Sequence, residues 1–393
     1  MKPALALLLI LAPFVAFSQN NSEILKKSDQ LVIEKKYESA FQVLDKADPK
    51  NNDPDIVVAK ENIVLGYFVT SIMHQMFALK DLKPNENLED FRGKQGSYSM
   101  HVYPVDSMIN RLIKLHPDNY KLYFGLGNYY YEAFLHYNAN WLKTPEQLFE
   151  LIENNYKKGI AIHQGDYMIY YQLGYINELQ KKYQQAIDYF KQSVSINDKY
   201  ATAHYNLALA YIYAGNPADG LKDALISIDE YSDKSYKGDA ARMTADIYDA
   251  MKDTKNRVAY LEMSDKIDPD NYYTLKLLLD IYVKSVDPKE KNVLGRFYLL
   301  DPGNPTIYND LNNVYSDKQP ELITFYEGKL PDYQKNNKVY GNLNFYLAQA
   351  YINIQNKPKA RECVQNARQA FATVFPKDSE VFKSLDQLAD KSK

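Results

Sequence analysis

The residues of this chain that could carry a reaction are six histidines, one cysteine and a lysine set between two glycines. None of His74, His101, His116, His136, His163 and His204 stands three or four residues from another, so no helix face offers two imidazoles to zinc. H-E-x-x-H, C-x-x-C and G-x-S-x-G are absent. Cys363 has no partner for a disulfide and no flanking signal of a reactive thiolate. Around Lys94, the text RGKQGS with Gly93 and Gly96 lacks the order G-x-x-x-x-G-K-[ST] and a preceding strand, so it does not read as a phosphate-binding loop. His116 precedes a proline at a helix end, where favouring the helix dipole is the simpler role. An enzyme is not expected, and neither is a metal or cofactor. A catalytic reading would need a pocket of converging titratable groups around the long segment 81–103.

Composition leaves recognition as the remaining class of function. The 393 residues carry 47 Lys and Arg against 50 Asp and Glu, a formal charge of −3, so no basic face for nucleic acid is expected. Tyrosine is unusually frequent at 36 residues, with 16 phenylalanines beside it. Two readings compete: the tyrosines fill core positions, or they line a recognition surface.

The N-terminus points to a compartment. MKPALALLLILAPFVAFS, residues 1–18, has a positive start at Lys2, an apolar run from Ala4 to Phe17, and small residues Ala16 and Ser18 before Gln19. The run is too short to span a bilayer comfortably and reads as a secretory signal peptide. Export to a periplasmic or secreted location is expected, with a soluble mature chain and no transmembrane anchor. Cys363 is remote from the cleavage point, so no lipid-attachment cysteine stands there and packing alone stabilises the fold.

These residues need elements to hold them, and one stretch shows which. Residues 167–200 place Tyr170, Leu173 and Gly174 at positions 4, 7 and 8, and Ala186, Phe190 and Ser193 at 20, 24 and 27. Each set forms one apolar stripe on a helix, and the small residues at 8 and 20 let two helices cross closely. The stretch resembles the tetratricopeptide repeat, a 34-residue helix-turn-helix unit, departing from it at Asn177 and Asp198. Further copies follow. One from 120 has Tyr123, Leu126, Gly127 and Tyr130, and one from 201 has His204, Leu207, Ala208 and Tyr211. Looser ones near 238 and 271 end in IDPDN and LDPGN, a poor one covers 305–335, and a good one covers 341–374. A degenerate copy fills 22–48, and 55–80 reads as a long apolar helix. The resemblance implies an all-α, right-handed superhelical solenoid of antiparallel helix pairs over 19–377. About seven to eight repeats are expected, with insertions near 81–103 and 132–150, the second containing Trp141, and a capping helix over 378–393.

In the resembled family the first helices line a concave face. Carried over position by position, the face residues are Lys121, Phe124, Asn128 and Tyr131, then Tyr171, Gln172, Tyr175 and Glu178, then Tyr205, Asn206, Ile212 and Tyr213. Phe124, Asn128, Tyr131, Tyr171, Gln172, Tyr175, Tyr205, Asn206 and Tyr213 are the expected ligand contacts. Aromatic rings beside amides suit an extended peptide, and sugar rings would satisfy the same surface. The family's carboxylate clamp is matched only at Asn128 and Asn206, because Phe124 and Thr202 stand where its lysines belong. The expectation is a non-catalytic scaffold with a protein or peptide partner, the alternative being a glycan-binding envelope component.

Overall fold

A computed structural model of the protein describes residues 11–72, 75–137 and 143–393. The proposed signal sequence lies partly outside the described residues, and His74 and Trp141 lie wholly outside them. The chain divides into two compact units, the first ending at Ala210 and the second running Tyr211–Lys393.

The first unit is built from α1 (Leu11–Ile33), α2 (Tyr37–Ala47), α3 (Pro54–Gly66), α4 (Val105–Leu115), α5 (Tyr120–Tyr137), α6 (Pro145–Ile162), α7 (Tyr167–Leu179), α8 (Tyr183–Ile196) and α9 (Ala201–Tyr213). The last three residues of α9 belong to the second unit. The pair α7 and α8 shows why the sequence folds so. Asp166 caps α7 by accepting from the Ile169 amide at 3.0 Å. Ile169, Tyr170, Leu173, Ile176 and Asn177 then fall on one face and are buried. Lys181 takes a left-handed φ of 59° in the turn, and Lys182 N donates to the Asn177 carbonyl at 2.9 Å, which ends the helix and reverses the chain. Ala186, Ile187 and Phe190 of α8 face back. Position 8 has to be small for a definite reason: a Cβ added at Gly174 would lie 2.5 Å from the Phe190 ring. Gly127 of α5 receives the Tyr156 ring of α6 in the same way, and Gly159 of α6 receives Phe124. The glycines are sockets for rings of the paired helix.

The segment expected as one helix over 55–80 is instead a helix followed by strands. After α3 come β1 (Thr70–Ile72), β2 (Met76–Leu79) and β3 (Ser99–Val102), an antiparallel sheet in that order. Ala78 lies opposite Thr70 and Met100. The continuation of the helix, FVTSI, is rich in β-branched residues, Val69, Thr70 and Ile72, which favour a strand. The Tyr37 and Tyr67 rings stack at 4.2 Å, His101 Nε2 meets Glu38 Oε2 at 2.6 Å, and Asp81 accepts from the Ser39 amide at 2.9 Å. Phe77, Ala78 and Leu79 are buried beneath. The segment 81–98 is tied down by Lys35, whose Nζ donates to the Glu86 carbonyl at 2.8 Å. The second insertion is absorbed mainly by length, since α5 and α6 have 18 residues each. The first insertion lies between α3 and α4 of one pair, and the second spans the end of α5 and the start of α6 of the next.

The second unit continues the pattern with α10 (Leu221–Glu230), α11 (Lys234–Ala250), α12 (Thr254–Ile267), α13 (Tyr272–Ser285), α14 (Glu290–Leu299), α15 (Pro305–Val314), α16 (Gln319–Lys329), α17 (Asn337–Asn353), α18 (Lys357–Phe371) and α19 (Glu380–Lys391). The repeated DPxN text has a structural use: Asn271 and Asn304 cap α13 and α15 through their side chains. Tyrosines make much of this core. Tyr298, Tyr308, Tyr315 and Tyr326 are fully buried, and Tyr308 stacks on Tyr346 at 4.8 Å. Most of their hydroxyls find partners, such as the Pro302 carbonyl for Tyr308, at 2.9 Å, and Asn309 for Tyr346, at 3.0 Å, whereas the buried Tyr326 hydroxyl has none. The core reading of the tyrosines therefore holds here. α19 lays Leu385 and Leu388 against α17 and α18. The protein is an all-α helical repeat solenoid carrying one small sheet. Counting the two poorest copies, α1 with α2 and α15 with α16, four helix pairs lie within each unit among the described residues.

Candidate functional site

The first helices α5, α7 and α9 present the residues assigned to the face. On α7, Tyr171, Tyr175 and Glu178 are spaced i, i+4 and i+7 and share one side of the helix, as do Phe124, Asn128, Tyr131 and Glu132 on α5. The structure sorts the expected contacts into two depths.

The deeper set holds repeats together. Tyr131 is only 6% exposed and Gln172 8%. Phe124 fills the socket at Gly159 and meets Tyr120 edge-on at 5.6 Å. The fully buried Tyr156 hydroxyl donates to Asn128 Oδ1 at 2.6 Å and also lies in hydrogen-bond contact with Gln172 Oε1. Burial pushes the Tyr156 phenol well above its ordinary range, so this bridge between successive first helices stays protonated. Lys121 is engaged with Asp55 at 2.7 Å.

The outer set is partly exposed. Tyr171 and Tyr175 stack, with centroids 6.3 Å apart and planes 12° from parallel. Tyr131 supports Tyr175 edge-on at 6.5 Å, and Tyr200 supports Tyr171 edge-on at 5.2 Å. Asn206 Nδ2 donates to the Tyr171 hydroxyl at 2.9 Å. Tyr205 and Ile212 are half-buried, and Tyr213, in the second unit, is 53% exposed. Both amides that matched the clamp, Asn128 and Asn206, already have partners within the chain.

Two carboxyls complete the face. Burial raises the Glu178 carboxyl to about 7, and its Oε2 has no hydrogen-bond partner. Burial also raises Glu132, opposed by His136, whose Nε2 is 3.1 Å away, and by the positive charge of Arg92. Arg92 belongs to the first insertion, so that insertion comes within electrostatic reach of α5. Arg92 donates to the Gly66 carbonyl at 3.1 Å and to Glu89 at 2.8 Å. The sequence reading did not single out Glu132, and its place beside Tyr131 was the signal that could have found it. Arg92 had no such signal, because no repeat position predicts where an insertion lands.

Around 81–103 the titratable groups serve structure: His101 pairs with Glu38, and Asp81 with Ser39. Among the described residues no three His, Cys, Asp or Glu side chains gather to hold a metal, and no helix is long and apolar enough to cross a membrane.

Residues 169–200 match the tetratricopeptide repeat model. No curated protein matches. Among solved structures it is similar to the tetratricopeptide-repeat protein YrrB, described as having an unusual peptide-binding site, at 15% identity over 43% of this chain and 79% of that one, TM-score 0.37. PilF of Pseudomonas aeruginosa is 15% identical over 55% of this chain and 88% of its own, TM-score 0.39. A chain of the Naa15/Naa10 complex bound to HypK-THB is 12% identical over 95% of this chain and 51% of its own, TM-score 0.45.

Proposed function

We propose that this protein is an exported, non-catalytic scaffold that captures a protein or peptide partner on the tyrosine and asparagine face of its first helices, in the periplasm or at the cell envelope. The observation that carries the reading is the partly exposed ring pair Tyr171 and Tyr175, held edge-on from both sides by Tyr131 and Tyr200. A recognition surface gains from rings whose orientation is already fixed, because little side-chain entropy is lost on binding. Tyr205 and Asn206 extend the face along α9, and Tyr213 is proposed as a further contact. Phe124, Asn128, Tyr131 and Gln172 act beneath it as support.

The test is an alanine series at Tyr171, Tyr175 and Tyr205, read by thermal melting and by cross-linked co-purification from the native host. Loss of a cross-linked partner with an unchanged melt supports the face. Unchanged capture with lowered melting makes the rings core and sinks the reading. Retardation in polysaccharide gels, abolished by the same substitutions, would replace the peptide partner by a glycan. Export is supported by the composition of residues 1–18 alone, and N-terminal sequencing of the mature chain should begin at Gln19.

A further inference from the structure

The polar groups along α7 and its neighbours are satisfied with one exception. Tyr156 serves Asn128 and Gln172, Asn206 serves Tyr171, and Asn177 Nδ2 donates to the Leu173 carbonyl at 2.8 Å. Glu178 Oε2 is shielded from solvent yet has no donor. A buried carboxylate oxygen without a donor is costly, and completion by a ligand is one reason a chain retains such a group. Burial is the sole cause of its raised proton affinity, so no basic side chain of the described chain serves as its counter-ion. The residue itself is partly exposed, so a ligand can reach its side chain, and a rotation about the last side-chain bond brings the shielded Oε2 within its reach.

Its place on the helix defines what would complete it. Glu178 stands three residues beyond Tyr175 and seven beyond Tyr171, continuing the line of the two stacked rings. A cation on an apolar stem matches both parts, with the stem lying along the rings and the head on the carboxylate. A metal ion does not, since it needs several ligands and no such group exists among the described residues.

Resting on the reading of this face as a peptide-binding surface, we propose that α7 carries a seat for one basic side chain, a Lys or Arg of the bound peptide, with its charge on Glu178 and its stem across Tyr171 and Tyr175. The partner is thereby narrowed to an extended segment presenting a basic residue.

A random dodecapeptide library displayed on phage, panned on the full chain, tests this. Enriched peptides should share a Lys or Arg. In fluorescence anisotropy, changing that residue to Gln should weaken binding about ten- to hundredfold, the range for a hydrogen bond to a charged group. In the Glu178→Gln variant, with circular dichroism unchanged, the same exchange should make less than about a twofold difference, and Glu178→Asp should restore part of the preference. Enriched peptides that lose affinity on Y171A and Y175A but bind E178Q as tightly as wild type would overturn the basic seat and leave the interaction face standing. Peptides indifferent to all three substitutions, or no enrichment at all, would overturn both.

Discussion

Glu61, on α3, is the most exacting test of the packing described above. Its side chain is 0% exposed and neither carboxyl oxygen has a hydrogen-bond partner. The carboxyl occupies room that exists only because α5 has a glycine opposite: a Cβ at Gly125 would lie 2.4 Å from Oε2. The preceding Lys60 is no counter-ion, because its Nζ is bound to Asp45 at 2.8 Å, the Asp48 carbonyl at 2.8 Å and Asn51 at 2.7 Å. Burial alone pushes Glu61 up to about 8 from an ordinary 4.5.

The sign follows from proton counting. Between pH 4.5 and about 8 the folded chain keeps a proton on Glu61 that the unfolded chain has released, so stability falls as pH rises. The contribution is fully present below 4.5 and fully lost above about 8. At about 1.4 kcal/mol per unit, the loss by pH 7 is about 3 kcal/mol. Glu61→Gln keeps the shape and removes the titration. Urea unfolding followed by circular dichroism should show the variant gaining on wild type by about 3 kcal/mol between pH 4.5 and 7. A wild-type to variant difference that stays constant over that interval would refute a neutral buried carboxyl. A double-mutant cycle adds a geometric check: Gly125→Ala should cost about 1–3 kcal/mol in wild type and much less beside Glu61→Ala, where the methyl takes vacated space.

Four further outcomes are expected. Gly174→Ala drives a methyl into Phe190 and should lower unfolding free energy by about 1–3 kcal/mol, with most of the loss recovered by adding Phe190→Leu. Lys60→Met removes the donor shared by Asp45, Asp48 and Asn51 and should cost about 3 kcal/mol in urea unfolding. Val286 ends α13 at a left-handed φ of 58° with its side chain 76% exposed, so Val286→Gly should raise stability by about 1 kcal/mol, seen as a higher melting temperature. Burial pushes the Cys363 thiol up to about 12, so Ellman's reagent should leave it unmodified at neutral pH until denaturant is added.

What the sequence shows and what it hides divide along a physical line. The α7 and α8 pair was legible because its determinants are local: spacing within each helix, a cap at Asp166, a small residue at 174. The sheet was not, because a short apolar run such as MFAL fits a helix or a strand equally well. Its strands exist by virtue of α2, where Tyr37 takes Tyr67 and Glu38 takes His101, 30 and 63 residues away in sequence. The repeat positions of Tyr171 and Tyr175 made it legible that the two rings share one side of α7. Depth was hidden, since burial of Tyr131 and Gln172 depends on what α6 and α7 bring against them.

One substitution in the repeat logic accounts for that difference in depth. Gly174 of α7 takes a phenylalanine, Phe190, whereas the equivalent socket at Gly127 of α5 takes a tyrosine, Tyr156. The extra hydroxyl cannot be left unpaired when fully buried. It reaches Asn128 on its own pair and Gln172 on the next, using two amides that the repeat pattern would otherwise offer to a ligand. Cohesion between α5 and α7 therefore takes up both amides. At α7 the ring in the socket has no hydroxyl, and the amide of Asn206 goes to the rim of Tyr171, where it orients an exposed ring instead of burying itself. The same repeat position thus takes a phenol at one step and a phenyl ring at the next, and the hydrogen bonds around it differ by one phenol oxygen.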